Sequence, residues 1–212
     1  MKNIKGFVFD LDGVIVSTDK YHYLAWKTIA DKEGIYFDER INNRLRGVSR
    51  MASLDIVLEK ASKKYSYEEK VALATEKNNI YRESLSNLKE CDRLEGVTES
   101  LNFLREKGYK LAIGSSSKNT PLILEKIGLA HFFDAVSDGN NISHSKPDPE
   151  VFLKAAEMIG LDPTECVVVE DSIAGIEAAN KGKFLSVAIG DAKKIKSSTF
   201  EITSMAELKK LF

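Results

Sequence analysis

The stretch Phe7-Val8-Phe9-Asp10-Leu11-Asp12-Gly13-Val14-Ile15 constrains this chain more than any other. An apolar run that ends in two carboxylates two residues apart reads as a buried strand delivering acid groups to its tip. Successive residues of an extended segment point to opposite sides, so Asp10 and Asp12 face the same way if the extended geometry continues past the strand end. Gly13 then lets the chain turn off the sheet. Carboxylates held this close repel one another, and they ask for a cation or for a shared proton. A hard, oxygen-liganded site suits Mg2+. In such a site Asp10 could attack a phosphorus while Asp12 exchanges a proton with a hydroxyl. The bland alternative is a strand end whose acids merely cap the next helix.

Composition narrows the setting. With 212 residues, 43% of them hydrophobic, the chain can bury a sizeable core as one domain with an insertion or as two small ones. Lys and Arg number 31 against 32 Asp and Glu, so no basic field argues for nucleic acid or for an anionic membrane. Cys91 and Cys166 lie far apart without metal-ligand spacing and imply no disulfide scaffold. There is no secretory apolar segment after Met1 and no long uninterrupted apolar window, so the expected compartment is the cytoplasm.

From about residue 17 to residue 89 the pattern is helical. Tyr21, Leu24, Ala25, Thr28 and Ile29 recur at the spacing of a packed helix face, with His22 and Trp26 on a neighbouring stripe one turn apart and the Thr18 hydroxyl just before the helix. His22 and Trp26 are either a core-edge pair or two groups looking into one space. In Arg46-Gly47-Val48-Ser49-Arg50, Gly47 allows a tight turn and Ser49 is a natural N-cap for a helix that turns Met51, Leu54 and Leu58 inward. Arg50 then sits at the first helical position, either as an anion-binding group or as a solvent-facing side chain. A third helix spans about residues 67–88. It places Lys77 on the stripe of Leu73, Ile80 and Tyr81, where the amine either snorkels out or points into a polar cavity.

After Glu95-Gly96 the elements alternate: a helix from about Val97 to Lys107 stopped by Gly108, a strand from Lys110 to Gly114, and a helix beginning near Asn119. Further strands are expected at Ala135-Val136, Cys166 to Glu170, Leu185 to Ile189 and Glu201-Ile202. Such alternation predicts parallel strands with right-handed crossovers, and ligands of open parallel sheets bind beyond the carboxyl ends of the strands. Four stretches fall at those ends. They are Asp10-Leu11-Asp12; Ser115-Ser116-Ser117-Lys118-Asn119, a candidate phosphate cradle; Lys146-Pro147-Asp148-Pro149, with Asp148 expected as cap and Pro149 at the first helical position; and Glu170-Asp171-Ser172. The last two acids either complete a metal site with Asp10 and the Asp12 carbonyl or cap a helix through Ile173 to Asn180.

In this order the four stretches resemble the motifs of the haloacid dehalogenase superfamily: Asp10-Leu11-Asp12-Gly13, Ser115, Lys146 and Glu170-Asp171. Within it, Thr18, His22, Trp26, Arg46, Gly47, Val48, Ser49, Arg50, Ser53, Lys77, Ser117, Lys118 and Asn119 are similar to the cap and substrate contacts of the beta-phosphoglucomutase family. The resemblance implies an α/β fold, a Rossmann-like parallel sheet core over residues 1–16 and 90–212 with an inserted α-helical cap domain at 17–89. It implies catalytic roles for Asp10, Asp12, Ser115 and Lys146, and Mg2+ held by Asp10, Asp12, Glu170 and Asp171. It also implies an aspartyl phosphate, a glucose 1,6-bisphosphate intermediate and a monomer acting on a small sugar phosphate. Sugar-phosphate phosphatases share the core motifs and are the alternative. Leu94-Glu95-Gly96, Ser116 and Asp148 depart from the usual pattern, and they touch turns more than chemistry.

Overall fold

The computed structural model describes residues 4–212. Strand β1 (Gly6–Phe9) is followed by a helical stretch: α1 (Asp19–Lys32), α2 (Glu39–Asn43), α3 (Arg50–Val57) and α4 (Tyr67–Ser84). The alternating part then runs α5 (Val97–Glu106), β2 (Lys110–Gly114), α6 (Thr120–Lys126), β3 (Ala135–Ser137), α7 (Glu150–Met158), β4 (Cys166–Glu170), α8 (Ile173–Lys181), β5 (Leu185–Ala188) and β6 (Phe200–Glu201). All neighbouring strands pair in parallel, in the order β3-β2-β1-β4-β5-β6. This Rossmann-like α/β sheet is the fold expected from the strand–helix alternation. The chain divides into two compact units, one formed by the chain up to Ser17 with Lys89–Phe212, the other by Thr18–Leu88.

The sheet unit is held by strands apolar on both faces. Phe7, Val8 and Phe9 are fully buried, as are Val167, Val168 and Val169 in the neighbouring strand, the burial that a helix-covered parallel sheet demands. On one face Val8, Ala112 and Val168 pack with Phe152 and Ala155 of α7 and Ala178 of α8. Gly114 is required by close packing, because a Cβ there would lie 2.6 Å from the Phe152 ring. In the helical unit Trp26, Ile29, Phe37, Leu54, Val57 and Leu73 form a separate core. Among the described residues no helix is long and apolar enough to cross a membrane.

The structure corrects several local expectations. The buried face of α1 is Ala25, Trp26, Ile29 and Ala30, while Leu24 is 47% exposed and Thr28 is exposed. The two apolar stripes of this helix overlap, and burying the large Trp26 ring decides between them, since an aromatic side chain removes far more surface from water than the Leu it displaces. Helix α7 starts one residue later than expected: Pro149 occupies the N-cap position and Glu150 is first. Asp148 still acts as a local cap, its Oδ1 accepting from the Glu150 amide at 2.9 Å. Lys77 does not snorkel, being only 3% exposed.

Candidate active site

Four adjacent strands bring the sequence-predicted groups to the carboxyl edge of one sheet. Asp10 follows β1 and continues its ladder, its amide donating to the Val169 carbonyl at 2.9 Å. The chain then closes a tight loop in which the Leu11 carbonyl accepts from Ile15 and Val16. Gly13 sits at φ +87°, and a Cβ there would lie 2.1 Å from Asp171 Oδ2. Only glycine combines that backbone with the close approach of the Asp171 carboxyl group.

Ser115, after β2, is buried and ties its loop to β3 through its amide and the Ser137 carbonyl at 3.1 Å. Its Oγ accepts from the Ser117 amide, and Ser117 Oγ accepts from the Asn119 amide, both at 3.2 Å. These side-chain bonds shape a turn that leads into α6, with Asn119 buried and Lys118 exposed. Ser-rich turns form such bonds in place of a backbone ladder.

The Lys146 ammonium, buried beyond β3, donates to Asp10 Oδ1 and, at 2.7 Å, to Glu170 Oε2. The other Glu170 oxygen accepts from the Asp171 amide at 3.0 Å and from both the amide and hydroxyl of Ser172 at 2.8 Å. Ser172 Oγ in turn accepts from the Gly175 amide at 3.0 Å, so Ser172 is the cap of α8 and neither acid is needed for that task. The helix-cap explanation of Glu170-Asp171 therefore falls away. Gly175 matters as well, because a Cβ there would lie 2.0 Å from the Glu170 carboxyl carbon.

Asp10, Glu170 and Asp171 present oxygens that all lie within 4.8 Å of one another. Burial raises the Asp10 carboxyl to about 7, against the pull of Lys146 and with added repulsion from Glu170 and Asp12. Burial, followed by repulsion from Glu170 and Asp10, raises Asp171 to about 10. Glu170 is also desolvated, but Lys146 and the Ser172 donors outweigh burial and hold it below the usual carboxylate range. Likewise Asp10 and Glu170 outweigh the desolvation of Lys146 and raise its ammonium. One ammonium cannot compensate three carboxylates, so Asp10 and Asp171 are driven towards their protonated forms. An oxygen-only donor set in this state fits a hard divalent cation. The Asp12 carboxylate stands outside this cluster, although its charge is felt by both Asp10 and Asp171.

The remaining predicted residues lie in the helical unit. Lys77 Nζ is 2.8 Å from His22 Nδ1, 4.9 Å from the centre of the Trp26 ring and 4.5 Å from that of Tyr81. An ammonium has only donors, so Nδ1 accepts and the ring proton of His22 sits on Nε2. Burial, then the charges of Lys77 and Arg50, holds the His22 pKa well below the ordinary imidazole value and keeps the ring neutral. Thr18 is buried and its Oγ1 lies 2.8 Å from the Tyr81 hydroxyl.

Arg46 pairs with Asp19, Gly47 takes φ +72°, and the Val48 amide donates to the Leu45 carbonyl at 3.2 Å. Ser49 caps α3 through the Ala52 amide at 3.3 Å, which puts Arg50 at the first helical position. Ser53 is buried one turn on. Arg50 is half-buried, and burial together with repulsion from Arg82 lowers its pKa. One residue escaped functional assignment from sequence: Tyr81 looked like one more apolar position on the α4 stripe. The only available signal for Tyr81 was its place one turn beyond Lys77.

Comparison with known proteins shows what the chain is similar to. The chain is 37% identical over 207 residues to a beta-phosphoglucomutase of Bacillus subtilis, covering 97% of this chain and 92% of that protein. It is 35% identical over 176 residues to a fructose-1-phosphate phosphatase of Escherichia coli, covering 82% and 90%. The crystal structure of a beta-phosphoglucomutase from Clostridium difficile superposes with a TM-score of 0.92 at 38% identity, over 97% of this chain and 93% of that one. The model of haloacid dehalogenase-like hydrolases matches residues 4–182, the span that carries the carboxylate cluster, Lys146 and Ser115. With that match covering most of its length, the chain belongs to the haloacid dehalogenase-like hydrolase family.

Proposed function

We propose that the protein is a beta-phosphoglucomutase, which interconverts beta-glucose 1-phosphate and glucose 6-phosphate. The observation that carries this reading is the pairing of two sets of groups in one chain. One is the buried Asp10–Lys146–Glu170–Asp171 cluster. The other is the set of polar groups in the helical unit, where Lys77 is buried against His22 and Trp26 and, among the described residues, the half-buried Arg50 has no carboxylate partner. A phosphatase needs only the first set. A mutase must also grip a second phosphate and a sugar.

In the proposed cycle an Asp10 carboxylate oxygen attacks phosphorus in line, its bond to the leaving sugar oxygen breaks, and an aspartyl phosphate results. Lys146 offsets the charge of the incoming phosphate. Asp12 protonates the leaving sugar oxygen and, in the reverse sense, takes the proton of the attacking hydroxyl. Asp10 and Asp171 with the Asp12 carbonyl, and Glu170 beside them, would hold Mg2+. Bound there, the ion supplies positive charge for the phosphoryl oxygens. Ser115 receives the transferring phosphoryl group; the proposed groups for the second phosphate are Arg50 in the helical unit and Ser117, Lys118 and Asn119 in the sheet unit. Thr18, His22, Trp26, Arg46, Gly47, Val48, Ser49, Ser53 and Lys77 contact the sugar. The neutral His22, with its proton on Nε2, acts as a donor to a sugar oxygen. The phosphoryl group on Asp10 passes to the C6 hydroxyl, giving glucose 1,6-bisphosphate. The C1 phosphoryl group then returns to Asp10 and glucose 6-phosphate leaves.

The test follows both products in one tube: purified protein, Mg2+, beta-glucose 1-phosphate and a trace of glucose 1,6-bisphosphate. Glucose 6-phosphate appearing without matching inorganic phosphate is the expected result. Phosphate release with little isomerisation would make the protein a sugar-phosphate phosphatase, the activity named for the Escherichia coli relative.

A further inference from the structure

Thr18 and His22 stand one turn apart at the start of α1, and Lys77 reaches His22 from α4, 55 residues on in sequence. One side chain meets all three. Tyr81 is 1% exposed, its hydroxyl lies 2.8 Å from Thr18 Oγ1, its ring centre lies 4.1 Å from that of His22 at a 31° tilt, and its face lies 4.5 Å from Lys77 Nζ. A buried tyrosine hydroxyl needs a partner, and an aromatic face attracts an ammonium while stacking on a neutral imidazole.

The choice of partner by Thr18 is informative. Thr18 occupies the N-cap position of α1, yet its hydroxyl caps no amide there. The other three α-helices of this unit are all capped by side chains, those of Asp38, Ser49 and Ser66. A threonine at an N-cap normally satisfies one of the open amides of the first turn. Here the hydroxyl is directed to Tyr81, so the local geometry favours the order of this polar group over the helix end.

We propose that Tyr81 is a positioning residue: it locks Thr18, His22 and Lys77 into one arrangement and thereby directs the phosphoryl group to the sugar hydroxyl and away from water. The proposal rests on the mutase reading for its catalytic consequence, and on the contacts above for the positioning itself. Tyr81 is not placed against substrate. Its effect passes through the orientation of His22, whose Nδ1 must face Lys77 for Nε2 to carry the proton that is donated onward.

The experiment uses Tyr81→Phe, which keeps the ring and removes the hydroxyl, Tyr81→Leu, which removes the ring faces as well, Thr18→Val, and the Tyr81→Phe/Thr18→Val double variant. Three readouts are taken on each: 15N signals of the His22 ring without substrate, glucose 6-phosphate formed per phosphate released, and phosphorylation of Asp10 by acetyl phosphate. Tyr81→Phe should lower the product ratio by about threefold to tenfold, the worth of one buried hydrogen bond, while its phosphorylation stays within about twofold, and Thr18→Val, which removes a sugar contact as well, should lower the ratio at least as far. The double variant should be no worse than Thr18→Val alone, because that substitution has already removed the bond that Tyr81→Phe breaks. Tyr81→Leu should also shift the His22 ring signals and lower the ratio further. An unchanged ratio in Tyr81→Phe, or parallel losses of isomerisation and Asp10 phosphorylation, would overturn the proposal. If the native protein forms no glucose 6-phosphate, the mutase reading fails by itself. The ring signals then decide the positioning role, which unchanged spectra in Tyr81→Leu would refute.

Discussion

The two polar clusters of this molecule are buried by opposite means. At the sheet edge three carboxylates crowd one ammonium, and the charges are held by ion pairs and backbone amides. In the helical unit the ammonium of Lys77 is buried against a neutral imidazole and the faces of Trp26 and Tyr81. The first cluster has more acid than base, so burial and mutual repulsion push Asp10 and Asp171 up towards their protonated forms, and it is suited to a cation. The second sets an ammonium against aromatic quadrupoles and an imidazole lone pair. Reaction chemistry and anion recognition thus ask for different surroundings, and the chain builds each with the residues suited to it.

The largest effect that would break the comparison comes from Asp10→Asn. An amide cannot serve as the nucleophile, so turnover should fall by at least about a thousandfold and the phosphoprotein signal in intact-mass spectra should vanish, while the neighbouring charges remain folded. Retained phosphorylation would move the nucleophile elsewhere.

Next is Lys146→Met, which leaves Asp10 and Glu170 buried without their ammonium. Removing one partner of a buried ion pair costs about 3–5 kcal/mol, so the variant should unfold at clearly lower denaturant concentration without metal. Added Mg2+ should restore part of the loss by supplying charge to the same oxygens. In the helical cluster the matching change, Lys77→Met, removes a cation that has aromatic and imidazole neighbours. It should be tolerated far better, and an equal loss of stability in the two variants would erase the distinction drawn above.

Much of the sheet-edge cluster was legible in the sequence because Asp10, Ser115 and Glu170 follow apolar runs, and parallel strands deliver run ends to one edge. Lys146 closes no such run; it stood out as the residue of its stretch without a structural task, and its role was implied by the family resemblance. What the rule did not give was Ser172 as the cap of α8, which is what frees Glu170 for Lys146. The helical cluster was only half legible. His22 and Trp26 one turn apart, and Lys77 on an apolar stripe, were visible as anomalies. That they meet depends on α1 packing on α4, a tertiary fact that periodicity does not carry. The face of α1 was misassigned for the same reason, since Leu24 and Trp26 compete for the core and only the partner surface settles which is buried.

Acid sharpens the contrast further. The His22 pKa is pushed well below 6.5 by burial and by Lys77 and Arg50. An imidazole with a depressed folded pKa binds its proton more readily in the unfolded chain, so stability is fully present above about 6.5 and is lost as pH falls through the window below it. The slope from this one group is at most about 1.4 kcal/mol per pH unit. His22→Gln, whose amide oxygen can still accept from Lys77, should flatten the fall in denaturation midpoint between neutral and mildly acid pH. An unchanged slope would mean that the ring is already accommodated as a cation.

The smallest effect lies in the serine loop after β2, between the two hydroxyls that shape it. Ser115 Oγ and Ser117 Oγ each accept from an amide two residues on, but the intervening Ser116 Oγ is buried without a hydrogen-bond partner among the described residues. A hydroxyl removed from water and given nothing in return is a local loss of about 1–3 kcal/mol, part of which returns when the oxygen is deleted. Ser116→Ala should therefore raise stability by roughly 1 kcal/mol, a melting shift of about 2–4 °C for a chain of this size, with Asp10 phosphorylation unchanged. Ser115→Ala, which removes an oxygen that an amide uses, should move the melting point the other way. If both substitutions destabilised the protein alike, Ser116 Oγ would have to hold a partner of its own, and the loop would depend on three hydroxyls instead of two.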